Sequence, residues 1–166
     1  MIRVQARGPE DVAWLDDLLP YRWEDMRVVS RGVTHVPRGL PAFVVNDGER
    51  RGVLVACEQD GDYEVVLLHV SPSRAGVGRA LMEHARYQAA LRGCHRLWLV
   101  TTNANTNAQA FYEHLGLTRV AIHAGEIDAA RERKPGIPTH DEHGTPIRDE
   151  FEYEWDPAPM IPYLDH

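Results

Sequence analysis

Residues 71–93, SPSRAGVGRALMEHARYQAALRG, pass from a loop with glycines at 76 and 78 straight into an amphipathic stretch that ends at Gly93. Val77, Leu81, His84/Ala85 and Leu91 recur at roughly helical spacing, which predicts a helix with an apolar face. Helix entrances favour Ser, Thr, Asp or Asn. Two glycines in the first turn therefore cost stability relative to alanine unless something must come close to the backbone. A strand, a glycine loop and a helix N-terminus aim backbone N–H groups at one point, an anion site that most often serves phosphate. The dinucleotide fingerprint needs a third glycine where Leu81 stands, and the P-loop needs Gly-Lys-Ser/Thr where this chain has Gly78-Arg79-Ala80, so both are disfavoured. Taken alone, the loop is also compatible with a glycine-rich helix entrance that binds nothing.

Upstream, AFVVNDGERRGVLVACEQDGDYEVVLLHV (42–70) predicts three strands, because β-branched runs flank the hairpin signals NDGE and QDGD. This is an antiparallel meander, whereas the phosphate-binding folds just set aside open with a buried parallel βαβ unit. Downstream come a strand in HRLWLVT (95–101), a short helix in NTNAQAFYEHLG (105–116) and a strand in LTRVAIH (117–123). Residues 2–6 form a short strand before a helix that opens at Pro9. Residues 20–41 mix Trp23, Met26 and Val28 with Gly and Pro and give no assignable element. Residues 124–134 predict a short helix, 135–149 a loop rich in Pro, Gly and charge, and EFEYEW (150–155) a last strand with one wet face. The expectation is one domain over residues 1–156, followed by an extended tail over 157–166.

With 166 residues and 43% hydrophobic content, the chain can bury one substantial core. A net charge of -7 with scattered basic residues argues against a nucleic-acid partner. No apolar run is long enough for a membrane span, and the N-terminus lacks a signal pattern, so the expectation is a cytoplasmic protein with no membrane partner. Cys57 and Cys94 lack CxxC spacing and are expected as buried thiols. HDEH (140–143) falls in a polar loop without ligand spacing on a regular element, so no metal is expected. The oligomeric state is left open, a homodimer included.

The order of strand, SPSRAGVGRAL, helix, strand and NTNAQAFYEHLGL resembles the GNAT superfamily of N-acetyltransferases across residues 42–123. The second motif is the more specific one. Asn105, Ala108, Phe111, Tyr112, Gly116 and Leu117 match N-x-x-A-x-x-F-Y-x-x-x-G-F, with Leu117 in place of the common Phe. The resemblance implies an α/β (α+β) fold with a mixed, largely antiparallel central sheet and helices on both faces. It also implies acetyl-CoA as acyl donor. Arg74, Ala75, Gly76, Val77, Gly78 and Arg79 would wrap the pyrophosphate, and the strand Leu68, His69, Val70 would pair with the pantetheine arm. Asn105, Ala108 and Phe111 would sit beside that arm. In the family a Gln or Arg usually stands three residues before the first loop glycine, where this chain has Ser73, with Arg74 one residue later.

Acetyl transfer needs an unprotonated amine, a polarised thioester carbonyl and a proton for the departing thiolate. Tyr112 is the candidate acid, and the backbone N–H near Val70 the candidate for the carbonyl. The expected acceptor is a small-molecule or peptide amine, with direct transfer between donor and acceptor. Either Glu64 or His69 could act as base. Strict alternation places Glu64 with Val66, Leu68 and Val70 on one face, and Tyr63 and His69 on the other. A carboxylate in an otherwise apolar strand is costly unless paired or used, which favours Glu64. Residues 124–148 form a long excursion next to the sheet's open end, and Asp149, Glu150, Glu152 and Glu154 follow it. Glu150 is the candidate acceptor-binding residue, its charge suiting a cationic amine. Two other readings fit the same residues: a catalytically inactive acyl-CoA-binding sensor or interaction module, and a transferase of a different acyl group.

Overall fold

The computed structural model describes residues 1–157, so most of the tail expected over 157–166 lies outside the described residues. The chain runs β1 (Gln5–Ala6), α1 (Val12–Leu18), β2 (Val28–Ser30), β3 (Val33–His35), β4 (Ala42–Asn46), β5 (Arg51–Gln59), β6 (Asp62–Ser71) and α2 (Val77–Leu91). It continues through β7 (Arg96–Thr102), α3 (Thr106–Leu115), β8 (Thr118–His123), α4 (Glu126–Arg133) and β9 (Glu150–Trp155). Among these residues seven strands form one mixed sheet in the order β1-β4-β5-β6-β7-β9-β8, and β2 and β3 form a separate hairpin. Every pairing in the large sheet is antiparallel except that of β6 with β7. This is the largely antiparallel sheet the sequence predicts.

The meander follows from its turns. Asp60 and Gly61 both take positive φ, 54° and 81°, which gives the tight turn that joins β5 to β6. On one sheet face Leu54, Val65, Leu97, Leu99 and Tyr153 pack beneath Leu81, Met82 and Ala85 of α2. The other face carries Val44, Val53, Val55 and Val66 under Leu15 of α1 and Trp23. Helix α2 lies close to β5 because residue 52 is glycine: a Cβ there would stand 2.6 Å from Val77 Cγ1 and 3.0 Å from Leu81 Cδ1. Leu91, expected in the apolar face of α2, is 54% exposed, and the fully buried Ala89 occupies that end of the core instead. Cys94 is buried and Cys57 only partly so; both are free thiols.

Residues 20–41, which carry no clear signal in sequence, contain the β2–β3 hairpin. Its two-residue turn uses Arg31 and Gly32 at φ 49° and 76°. The strand expected over residues 2–6 shrinks to Gln5–Ala6, paired only to Val44 and Phe43 at the sheet edge.

Candidate active site

The only parallel pair among the described strands comes apart. β6 and β7 are in register at Asp62/Arg96, Tyr63/Leu97 and Glu64/Trp98, and the pairing ends there. β7 then continues against β9 as far as Thr102/Glu150, while β6 stays with β5 to Ser71/Arg51. A fork therefore opens beyond Glu64. The backbone groups of residues 65–71 that would have faced β7 are left for another partner.

Just beyond the start of the fork, the register of β6 slips. Val55 lies opposite Leu67 and Ala56 opposite Val65, which leaves Val66 as the extra residue of a bulge. A bulge reverses side-chain parity. Val66 and Leu67 both pack with the α1-side core, whereas Leu68 and Val70 pack with the α2-side core. Strict alternation, which grouped Glu64 with Leu68 and Val70, therefore fails at Val66. His69, opposite Val53 of the α1-side core, comes onto the face of Glu64. Burial holds the His69 imidazole below its usual pKa.

Glu64 is 6% exposed and held by two residues of the hairpin. Ser30 Oγ donates to its Oε2 at 2.6 Å, and His35 Nε2 stands 3.4 Å from its Oε1. Next to it lies a cavity of about 100 Å³, bounded by Val28–Ser30 of β2, Glu64–Val66 of β6, Val100–Thr102 of β7, Ile127 of α4 and Glu150 of β9. Glu64 and Glu150, proposed separately from the sequence, thus border one space. Glu150 is only 2% exposed. Burial pushes its carboxyl above the ordinary range, against the lowering effect of Arg31. The Arg31 backbone N–H is 3.3 Å from both of its oxygens, and the guanidinium Nη1 is 3.5 Å from Oε1.

The remaining acidic residues of β9 are placed differently. Alternation does put Glu150, Glu152 and Glu154 on one face and Phe151, Tyr153 and Trp155 against the α2-side core. Glu152 and Glu154 nevertheless turn to Arg96, at 2.7 and 3.1 Å, and Glu152 also meets His123 at 2.8 Å. Burial raises the Glu152 pKa, but these two partners outweigh it and the net shift is downward. Asp149 lies on the opposite side, where its Oδ1 accepts from the Gly125 N–H at 2.9 Å.

The excursion between β8 and β9 is tied down at both ends. Asn103 donates from Nδ2 to the Pro146 carbonyl at 2.8 Å and accepts with Oδ1 from the N–H groups of Arg148 and Asp149 at 2.9 and 3.0 Å. Across from it, Lys134 Nζ donates to the Arg27 carbonyl at 2.9 Å, and Arg133 donates to the Gly32 carbonyl. Helix α4 is thereby fixed against the hairpin, with Ile127 in the cavity wall. HDEH forms an exposed turn in which Asp141 Oδ1 accepts from the His143 and Thr145 N–H groups.

At the other end of β6, α2 begins at Val77 with Gly76 as its N-cap at φ 86°, without a side-chain capping bond. Its first N–H groups are therefore open to a ligand. Arg74 takes φ 63° in the loop, and Arg79 lies in the first turn, 3.4 Å from Glu83. The two glycines differ in purpose. Gly76 supplies the left-handed conformation, whereas Gly78 is a packing glycine: a Cβ there would lie 2.9 Å from Phe111 Cζ. At Gly78 the ring of Phe111 occupies the space a side chain would need, a constraint the sequence reading did not include.

α3 is bounded as its motif suggests. Asn105 Oδ1 accepts from the Ala108 N–H at 3.2 Å, so this side chain caps the helix. Gly116 ends it at φ 107°, with the Leu117 N–H returning to the Tyr112 carbonyl at 3.0 Å. Tyr112 is nearly buried between Phe111 and Tyr153, with ring centroids at 5.4 and 6.1 Å. Burial pushes its hydroxyl up to about 12. That hydroxyl has no hydrogen-bond partner among the described residues.

Sequence reasoning missed Ser30, Arg31 and His35. The signal was present in VVS-RG-VTH, two β-branched triplets flanking a two-residue turn. A wider depression of about 250 Å³ around Arg86, Gly116, Thr118 and Trp155 shares no wall residue with the cavity at the fork.

A family model described as the acetyltransferase (GNAT) family matches residues 4–117. The protein YdhI of Bacillus subtilis strain 168, described as uncharacterized, is 36% identical over 110 residues, which span 66% of this chain and 69% of YdhI. The fold is shared with an IAA acetyltransferase from Bacillus cereus ATCC 14579, at a TM-score of 0.66 and 18% identity, covering 94% of this chain and 99% of that one. A Bacillus subtilis acetyltransferase solved in complex with CoA superposes with a TM-score of 0.65 at 16% identity, covering 94% and 99%.

Proposed function

Because this chain belongs to the acetyltransferase (GNAT) family, we propose that it moves the acetyl group of acetyl-CoA directly onto a primary amine seated beside Glu64. The observation that carries this reading is a buried carboxylate, bordering a cavity, at the point where two parallel strands part. In this reading the uncapped N-terminus of α2 receives the pyrophosphate, and the unpaired edge of β6 receives the pantetheine arm. The fold shared with a CoA-bound acetyltransferase supports the donor.

The steps follow from the residues present. Glu64 takes a proton from the acceptor ammonium. The freed amine attacks the thioester carbonyl, a C–N bond forms as the C–S bond breaks, and a β6 N–H in the fork stabilises the oxyanion. The thiolate takes the proton of Tyr112, whose hydroxyl burial pushes up to about 12, and the second proton that the nitrogen loses on becoming an amide returns to the Tyr112 oxygen by way of solvent. His69 shares the face of Glu64 but does not border the cavity, so Glu64 is the better placed base.

The test is release of free thiol from acetyl-CoA by the purified chain with a panel of primary amines. Glu64→Gln should lower kcat by about a hundredfold or more while the acetyl-CoA Kd stays near that of the unmodified chain. Binding without amine-dependent thiol release identifies an inactive acyl-CoA-binding module. Faster turnover of propionyl- or succinyl-CoA identifies a different acyl donor.

A further inference from the structure

The cavity has a carboxylate at each end. Among the described residues Glu64 and Glu150 are the only charged side chains that border it, and Val66, Val100 and Ile127 also line it. The basic side chains that face these carboxylates stand outside the cavity wall and approach them loosely. Arg31 Nη1 is shared between Glu150 and Glu126, at 3.5 and 3.4 Å, and makes no hydrogen bond. His35 Nε2, buried and 3.4 Å from Glu64, makes none either. Buried carboxylates are costly unless paired, and no cation among the described residues reaches these two from inside the cavity.

The spacing is set by the sheet. Glu64 lies opposite Trp98 and Glu150 opposite Thr102, four residues (98 to 102) along β7, on the strands that flank it. At the usual rise per residue this separates their backbones by about 13 Å along the strand, and both residues border the cavity. A ligand that satisfies both ends carries two positive charges on a short apolar stem.

We propose that the preferred acceptor is a linear α,ω-diamine, one nitrogen at Glu64 for acetylation and the other held as an ammonium ion by Glu150. The proposal rests on the acetyl-transfer reading above. In the step, the reacting ammonium gives one proton to Glu64, a C–N bond forms as C–S breaks, and CoA leaves as the thiol. The product keeps its second ammonium. It therefore carries one acetyl group, because the resulting amide no longer offers a cation to the opposite carboxylate.

The experiment uses the full chain and saturating acetyl-CoA. α,ω-Diamines from diaminopropane to diaminohexane are compared with n-alkylamines and ω-amino acids of matched length. The best diamine should exceed its matched alkylamine in kcat/KM by about tenfold or more, the scale of one hydrogen bond to a buried charge. The ω-amino acid should be slowest, and mass spectrometry should find the monoacetylated product. In Glu150→Gln the diamine-to-alkylamine ratio should fall to near one, and Glu150→Asp should restore part of it. Thr102→Lys, which brings a cation to the same end of the cavity, should lower the ratio independently. An alkylamine as good as its diamine, or a ratio unchanged in Glu150→Gln, overturns the proposal while leaving acetyl transfer in place. Failure of every amine to release thiol from bound acetyl-CoA overturns the acetyl-transfer reading and this proposal with it.

Discussion

Replacing Gly52 with alanine tests how the cofactor end of the fold is held. The added Cβ would stand 2.6 Å from Val77 Cγ1, 3.0 Å from Leu81 Cδ1 and 3.1 Å from Val70 Cγ1. Val77 and Leu81 are fully buried residues at the start of α2. Overpacking of this kind costs about 1–3 kcal/mol, and for a chain of this size each kcal/mol lowers Tm by about 2–4 °C, so a fall of about 2–12 °C is expected. Because α2 must lift from β5, its N-terminus moves too, and acetyl-CoA binding should weaken in parallel. Val77→Ala removes the closest contact and by itself costs about 2 kcal/mol of lost burial. In the double variant Gly52→Ala/Val77→Ala the new methyl fills part of the space vacated at residue 77. Its loss should be smaller than the sum of the single losses by about 1 kcal/mol or more. Thermal unfolding of the four proteins, with and without acetyl-CoA, measures this. Additive losses would refute the claim that these atoms set the distance between helix and sheet.

Tyr112→Phe removes a hydroxyl without a hydrogen-bond partner among the described residues, so kcat should fall about a hundredfold while Tm stays within a degree or two of the unmodified chain. Unchanged kcat assigns the ring to packing alone. Asn103→Ala deletes three hydrogen bonds that tie down the return of the excursion. At about 1 kcal/mol each, limited proteolysis within residues 126–148 should quicken tenfold or more, and the acceptor KM should rise with the acetyl-CoA Kd unchanged. Glu150→Gln has a signed pH dependence. Burial holds the Glu150 pKa above its unfolded value, so the folded state keeps the proton longer, and ionisation costs stability as pH rises past the unfolded value. The variant should therefore melt at least as high as the unmodified chain at neutral pH and above, and the difference should shrink as pH falls through the carboxylate range near 4–5. A lower Tm for the variant at pH 8 contradicts this.

What could be read from the sequence is what depends on neighbours along the chain. The two hairpin turns of the meander, the entry to α2, and the Asn105 and Gly116 caps of α3 are each fixed within a few residues, and their residue types announce them. The cavity at the fork is assembled from distant parts. β9 inserts between β7 and β8, and only that order brings Glu150 to the cavity where Glu64 stands. The hairpin carrying Ser30 and His35 is too short to stand out amid the prolines and glycines around it, although its Arg-Gly turn is a recognisable signal. Gly78 shows a third kind of limit. A glycine at a helix entrance looks the same whether it makes room for a phosphate or for Phe111, and only tertiary packing separates the two.

The bulge at Val66 has the widest consequence and no signature in sequence, because one unpaired residue changes neither composition nor apolar pattern in YEVVLLHV. Without it, Glu64, Leu68 and Val70 would share a face, and the candidate base would look toward α2. With it, Glu64 looks toward the hairpin and the cavity at the fork, while Leu68 and Val70 pack beneath the helix that bears the glycine loop. In the proposed reading the same strand thus supports the donor side through one parity and the acceptor side through the other. The reversal falls within two residues of Glu64, beside the fork where the two substrates would meet.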